Sequence, residues 1–293
     1  SKLGGDGALI TAGASTGIIQ SIAACIAGMD PYLRSCLPSR PPARSEVIIQ
    51  RSHRNPYDNA VPTAGARFVE IGDCIKTHPW ELEAAITENT AAVFFALQAE
   101  MLNASLSLDE TLKIAHAKGV PVVVDAAAEL PPKSNLWNLC KRGADLVIFS
   151  GGKEISGPQS SGLVVGTKTL IDAARYNGAP NYGVGRPTKA GKENVMGLLA
   201  ALEAYLDEDE EARMADMAGI CELWLNGLKG LPGLLVSPFT ATEPGIHPVC
   251  VPKVIVRKAG LDIQAAQKSL REAKNGKPAV LVDTWKGGLV LNP

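Results

Sequence analysis

From residue 8 to about residue 175 the chain repeats one pattern: a short run of mostly apolar residues, then a longer amphipathic stretch. Apolar runs too short for helices, separated by helix-length amphipathic segments, bury themselves best as a mainly parallel sheet with helices on both faces. The predicted strands are Ala8 to Thr11, Val47 to Gln50, Arg67 to Glu70, Ala91 to Ala96, Val120 to Asp125, Asp145 to Phe149 and Gly162 to Val165. Between two of them, Leu106 to Lys118 reads as a crossover helix with Leu108, Leu112 and Ala115 on one stripe, closed by Gly119. The proline-rich stretch Asp30 to Ser45 is expected to be a surface loop, neither helix nor central strand.

Residues 189–217 are helix-forming and include the acidic run Asp207 to Glu211, read as a solvated helix face. Beyond them, Leu234 to Val236, Val249 to Val256, Val280 to Val282 and Leu289 to Leu291 are short strands around one helix, Ile263 to Ala273. The expected organisation is therefore a large α/β domain over 1–188, a connecting helix over 189–217 and a small α+β domain over 218–293. A length of 293 residues with 46% hydrophobic content fits two unequal lobes better than one. The 29 basic and 30 acidic residues leave a formal charge of −1, which argues against a general polyanion-binding surface, and no apolar run reaches the length of a spanning helix. Cys25, Cys36, Cys74, Cys140, Cys221 and Cys250 show no C-x-x-C spacing, and His78, His116 and His247 show no ligand spacing, so no metal site is expected. The opening Ser1-Lys2-Leu3-Gly4-Gly5 lacks a charged segment followed by an apolar one, which points to the cytoplasm.

The chemistry concentrates at two strand ends. Asp125 closes Val122-Val123-Val124-Asp125, and Lys153 lies just past Asp145 to Phe149 in Ser150-Gly151-Gly152-Lys153. Both positions project into the crevice at the carboxyl ends of an α/β sheet. Pyridoxal 5′-phosphate requires such a pair, a carboxylate that keeps its pyridine nitrogen protonated and a lysine amine for its aldehyde. Taken alone Asp125 could be a helix N-cap and Lys153 a solvated loop lysine; the small residues around Lys153, continuing through Gly157 to Gly162, favour the cofactor, with Ser150 offering a hydroxyl to its phosphate. Gly13-Ala14-Ser15, between a strand and the helix Ile18 to Ala27, would aim helix N-terminal amides at that phosphate, the competing reading being an ordinary Ser15 N-cap. His53 follows another predicted strand and can stack on the pyridine ring, with Arg54 nearby for an anionic substrate.

These runs, together with Val122 to Pro132, Phe149 to Gly162 and Gly185-Arg186-Pro187-Thr188-Lys189-Ala190-Gly191-Lys192-Glu193, resemble the selenocysteine synthase (L-seryl-tRNA selenium transferase) family, above all its smaller members such as aminosugar-acid phosphate ammonia lyases. The resemblance covers most of the chain and implies an aspartate aminotransferase (fold type I) large domain, Lys153 bound to the cofactor aldehyde, Asp125 at the pyridinium and His53 over the ring. It places Ser15, Ser150, Gly13, Ala14 and Gly152 against the cofactor. It assigns Arg186, Lys189 and Lys192 to phosphate or substrate anions, with a homodimer or higher homo-oligomer sharing the site. It also implies further residues before the phosphate turn and after the final strand.

The expected reaction is an α,β-elimination, with Lys153 as the base, on a small hydroxy amino acid or amino-sugar acid that can carry a phosphate. Selenium transfer on seryl-tRNA needs a long basic surface, for which Arg34, Arg40, Arg44, Arg51 and Arg54 offer only a modest cluster. Desulfurase or aminotransferase chemistry and a non-catalytic relative with the same fold are the remaining alternatives.

Overall fold

All seven strands expected in the large domain form. The computed structural model describes residues 3–73, 75–97, 104–239, 251–272 and 278–293. β1 (Gly7–Thr11), β2 (Glu46–Gln50), β3 (Arg67–Ile71), β4 (Thr90–Ala96), β5 (Val122–Asp125), β6 (Leu146–Ser150) and β7 (Gly162–Gly166) make a seven-stranded sheet in the order β1-β7-β6-β5-β4-β2-β3. Strands β2 to β6 are parallel, and β7 runs antiparallel to both of its neighbours, β6 and β1. The central strands have no polar face because both faces are covered. Val93, Phe95, Val122 and Val124 enter one core, while Ala92, Phe94 and Val123 enter the other.

Helices α1 (Ala14–Ala27), α3 (Ala60–Thr63) and α7 (Lys168–Tyr176) supply Ile18, Ala60 and Ile171 to one core. Helices α4 (Pro79–Ala85), α5 (Leu108–Ala117), α6 (Asn135–Arg142) and α8 (Lys192–Asp207) supply Leu82, Leu108, Leu136 and Leu198 to the other. The predicted crossover helix is α5, trimmed at both ends by its signals. Ser107 and Glu110 form a capping box at its start, and Gly119 follows at φ +68°.

Two expectations on the chain's irregular parts are corrected. The stretch Asp30 to Ser45 is not all loop, because α2 (Pro31–Cys36) forms within it. Asp30 accepts hydrogen bonds from the Tyr32 and Leu33 amides at 2.7 and 2.9 Å, and Pro31 occupies the first helical position, where its missing N–H costs nothing. The acidic run is a junction and not one helix face. α8 ends at Asp207, Glu208 is extended, and Asp209 caps α9 (Glu210–Leu228) by accepting from the Ala212 amide at 3.0 Å.

The chain divides into two compact units, with a boundary between Glu208 and Asp209. The second contains α9 and a four-stranded antiparallel sheet in the order β10-β11-β9-β8, from β8 (Leu235–Phe239), β9 (Lys253–Arg257), β10 (Asp283–Trp285) and β11 (Gly288–Leu291), with α10 (Ile263–Arg271). Cys221, Trp224 and Leu225 of α9 pack on Val254 and Val256. Val280 to Val282 is not a strand; the strand begins at Asp283, where a register opposite Val290 is available.

One close approach couples the strands that carry the site. A methyl group on Gly162 would lie 2.5 Å from the backbone carbon of Gly13, so only glycine lets the turn after β1 rest against β7. Gly162→Ala is expected to lose about 1–3 kcal/mol in denaturant unfolding. Gly219→Ala, at an α9 position with nothing within 4 Å of the added carbon, is expected to gain up to about 1 kcal/mol. Equal effects of the two substitutions would contradict this account.

Candidate functional site

The parallel strands deliver their carboxyl ends to one edge of the sheet, and register decides which residues meet there. Asp125 ends β5, paired with Ala96 of β4 on one side and Ile148 of β6 on the other. Ser150, two residues beyond Ile148, pairs with Gly162, which pairs in turn with Thr11. Thr11 donates its hydroxyl to the Gly13 carbonyl at 2.9 Å and so fixes the turn into α1. The antiparallel β7 thereby carries Ser150 and the Gly13-Ala14-Ser15 turn side by side.

That turn excludes one of the two readings left open by the sequence, the Ser15 N-cap. Gly13, at φ 130° and ψ 163°, is the N-cap of α1, and no side chain caps the helix. Ser15 is therefore not a cap; it stands exposed in the first turn, where the amides of Ala14, Ser15 and Thr16 precede the first intrahelical bond, from Gly17 to Gly13. Uncapped amides with the positive end of a helix dipole suit a phosphate.

Lys153 is exposed in a turn built by backbone bonds, Gly151 N–H to Ser161 O at 2.9 Å, Gly157 N–H to Gly151 O at 2.8 Å and Ser156 N–H to Lys153 O at 2.9 Å. The glycines here are needed for packing. A methyl on Gly151 would sit 2.2 Å from Ser161 Oγ, and one on Gly152 would sit 2.7 Å from Gln159 Cα. Gln159 Nε2 also donates to the Gly152 carbonyl at 3.0 Å, so Gly152 serves the turn itself. Gln159 and the buried Ser161 lie inside a motif read only as small and permissive, and nothing but the spacing to Lys153 hinted at them.

Asp125 has its proton affinity raised by burial, against the opposing pull of the Ala127 amide, which donates to it at 3.0 Å, and of the Lys153 charge. A half-buried carboxylate with one backbone donor carries a desolvation cost, and a cationic N–H placed beside it reduces that cost. His53 is the other strained group. It is 1% exposed, its ring meets Phe95 edge-on at 4.5 Å, its Nδ1 accepts from the Ala96 amide at 3.2 Å, and its Nε2 has no partner among the described residues. Burial pushes its pKa down to about 3. A half-buried carboxylate suited to a cationic N–H, a buried imidazole with β4 between the two, a lysine and an uncapped helix start together fit pyridoxal phosphate.

The remaining predicted residues lie differently. Arg54 is committed to Asp58 and Glu70 and stacks 4.8 Å from the Phe68 ring. Arg51 also pairs with Glu70 at 3.7 Å, Arg34 lies 4.0 Å over the Tyr176 ring, and Arg44 donates to the Cys25 carbonyl at 3.4 Å. Arg186 donates to the Pro180 carbonyl at 3.3 Å and faces the Tyr182 ring at 5.6 Å. Its loop is pinned to α1 by Gln20, which fills the space beside Gly178 and Gly185, and by Asn177, which donates to the Gly28 carbonyl at 3.0 Å. Lys189 and Lys192 are exposed around the start of α8. Arg54, Arg186, Lys189 and Lys192 make no hydrogen bond or ion pair with Asp125, His53 or Lys153 among the described residues. Burial pushes the thiols of Cys25 and Cys140 up to about 12 and about 11, so neither is a ready nucleophile; Cys74, Cys250 and His247 lie outside the described residues.

The His53 shift has a thermodynamic consequence. Below about pH 6.5 the unfolded chain takes up a proton that the folded one refuses until about pH 3, so stability falls as pH drops through that window, by up to about 1.4 kcal/mol per unit. Denaturant unfolding of the cofactor-free protein at pH 7 and pH 5 is expected to show a loss larger by about 1–2 kcal/mol in the wild type than in His53→Gln. Identical pH dependence in the two proteins would contradict the burial of a neutral imidazole.

The chain is similar to known proteins in sequence and in fold. The family model for SelA, L-seryl-tRNA selenium transferase, matches residues 44–221. The chain is 34% identical over 233 residues to a D-glucosaminate-6-phosphate ammonia lyase of Salmonella typhimurium, covering 78% of this chain and 61% of that protein. It is 32% identical over 300 residues to a 5′-C-glycyluridine monooxygenase-decarboxylase of a Streptomyces species, covering 99% of this chain and 72% of that one. A solved structure of D-glucosaminate-6-phosphate ammonia lyase superposes with a TM-score of 0.78 at 30% identity, over 99% of this chain and 77% of that one. The fold is that of the pyridoxal-phosphate-dependent enzymes of the aspartate aminotransferase type, as the sequence resemblance implied. The chain belongs to the L-seryl-tRNA selenium transferase family.

Proposed function

We propose that this chain carries the active site of a pyridoxal-phosphate-dependent lyase that eliminates ammonia, by dehydration followed by hydrolysis, from a 2-amino-3-hydroxy acid of the amino-sugar acid class. The observation that carries the proposal is the placing of Asp125 and Lys153 at neighbouring strand ends, close enough for the lysine charge to act on the carboxylate. Bound there, pyridoxal phosphate supplies the electron sink that makes the substrate α-proton acidic. Asp125 keeps the ring nitrogen protonated, and its own raised proton affinity falls once that cation is beside it. The amides of Ala14 and Ser15, with the hydroxyls of Ser15 and Ser150, hold the phosphate. Lys153 would hold the cofactor through its aldehyde and, once freed by the substrate amine, would take the α-proton, with the β-hydroxyl leaving as water; return of Lys153 to the aldehyde would free the unsaturated amino acid, to which water adds as ammonia leaves, giving a 2-keto acid.

The names of the relatives support the substrate class. Glucosaminate, a seryl ester and a glycyl group on the hydroxylated C5′ of uridine each present an amino group next to a carboxyl carbon and a hydroxyl one carbon further on. Four of the five arginines of the basic cluster are engaged within the fold, which favours a small anionic substrate over tRNA. Arg186, on its pinned loop, is the better candidate for a substrate anion than Arg54, with Lys189 and Lys192 beyond it. The chain spans 61% of the length of the Salmonella lyase that it matches, and the proposed enzyme is a cytoplasmic homo-oligomer in which a second copy completes the site. The match to the Streptomyces protein, along 99% of this chain, supports oxidative decarboxylation as the second reading.

A screen of the cofactor-loaded protein against amino-sugar acids, their 6-phosphates and serine is expected to release 2-keto acid and ammonia from a phosphorylated amino-sugar acid. Lys153→Ala is expected to lower that rate at least about a thousandfold. Salt-sensitive tRNA binding without keto acid would overturn the lyase reading in favour of the transferase, and oxygen uptake with carbon dioxide release would overturn it in favour of decarboxylation. Asp125→Asn is expected to lower turnover about a hundredfold or more while leaving the cofactor-free protein at least as stable. Loss of stability in that variant would contradict a carboxylate held at a cost.

A further inference from the structure

The position of the single proton on His53 is fixed by the backbone. The Ala96 N–H donates to Nδ1 at 3.2 Å, so Nδ1 must present its lone pair and a neutral ring must carry its proton on Nε2. That Nε2–H is buried and unpaired in a side chain that is 1% exposed, and buried donors are seldom left so. Gln50, at the end of the same strand, repeats the arrangement. Its Oε1 accepts from the Leu106 amide at 2.7 Å, and its Nε2 is buried without a partner. Two side chains leaving β2 thus spend their acceptors on Ala96 and Leu106, at the two ends of the connection from β4 to α5, and each keeps a donor in reserve.

We infer that His53 is a locked, uncharged Nε2–H donor to an oxygen of the ligand bound at this site, with Gln50 a second donor of the same kind, and that His53 takes up no proton during the reaction. The identity of the ligand rests on the proposed function; the tautomer does not. To act as a base, His53 would have to accept a proton at Nδ1 and break its bond to Ala96, because Nε2 is already protonated. Among the described residues, the charged groups around it offer no compensation. Arg51 and Arg54 in its own turn are held by Glu70, Arg54 also by Asp58, and Asp125 lies at the end of β5, beside Ala96. Burial without a charged partner is what holds the ring neutral. The base is then Lys153, and the role of His53 is to position an oxygen of the cofactor or the substrate carboxylate.

Histidine-selective 15N labelling with long-range 15N–1H spectra of the cofactor-free protein tests the tautomer directly. Expected is one imidazole with the Nε2–H pattern, unchanged from pH 8 to pH 5 and absent in His53→Gln. An Nδ1–H pattern, or a midpoint inside that pH range, overturns the inference. Addition of pyridoxal phosphate, and then of serine, identifies the acceptor. A downfield move of the Nε2 proton on the first addition assigns it to the cofactor, and on the second to the substrate carboxylate. If the cofactor's visible absorption shows binding and neither addition moves the proton, this inference alone fails. If no binding is seen and the proton stays put, the proposed function fails with it.

Discussion

A carboxylate held at the end of a fully covered strand is the constraint around which the rest is arranged. β5 is apolar on both sides, so the fold can only place Asp125 where the covering helices stop. Burial raises its affinity for a proton, and one backbone amide and the charge of Lys153, past the end of the next strand, oppose that. Such a group is tolerable in a folded protein chiefly because something else completes it. A protonated pyridine does so by bringing an opposite charge and an N–H donor to the carboxylate together, which is why the site reads as half of an ion pair whose other half is a cofactor.

The second condition is that the phosphate end of that cofactor be held in register with the ring end. The antiparallel β7 accomplishes this, since Gly162 stands between Ser150 and Thr11 and touches Gly13. The Gly13 turn and the Lys153 turn are therefore both anchored at Gly162 and Ser161 on the same end of β7, which is the positioning that a reaction dependent on alignment requires.

Much of this was legible in the sequence because its signals are local. Strands buried on both faces read as apolar runs, and their ends gave Asp125 and Lys153. The failures come from side chains whose effect is to break a pattern. Asp30 and Asp209 look like ordinary acidic residues until each caps a helix, which is why a helix appears in a proline-rich stretch and a junction in an acidic run. The last unit hid β10, because Val280 to Val282 are the more apolar residues while pairing with β11 selects the next three. At the site, the sequence put His53 forward as a candidate neighbour of the ring but said nothing of its tautomer. That depends on the amide of Ala96, 43 positions away, and nothing in the sequence around His53 encodes it.

The most direct test of the central claim is covalent. Incubating the protein with pyridoxal phosphate, reducing with borohydride and mapping the modified peptide by mass spectrometry is expected to find the pyridoxyl group on Lys153 at close to one per chain. Modification spread over surface lysines, or concentrated on any other single lysine, would contradict the account.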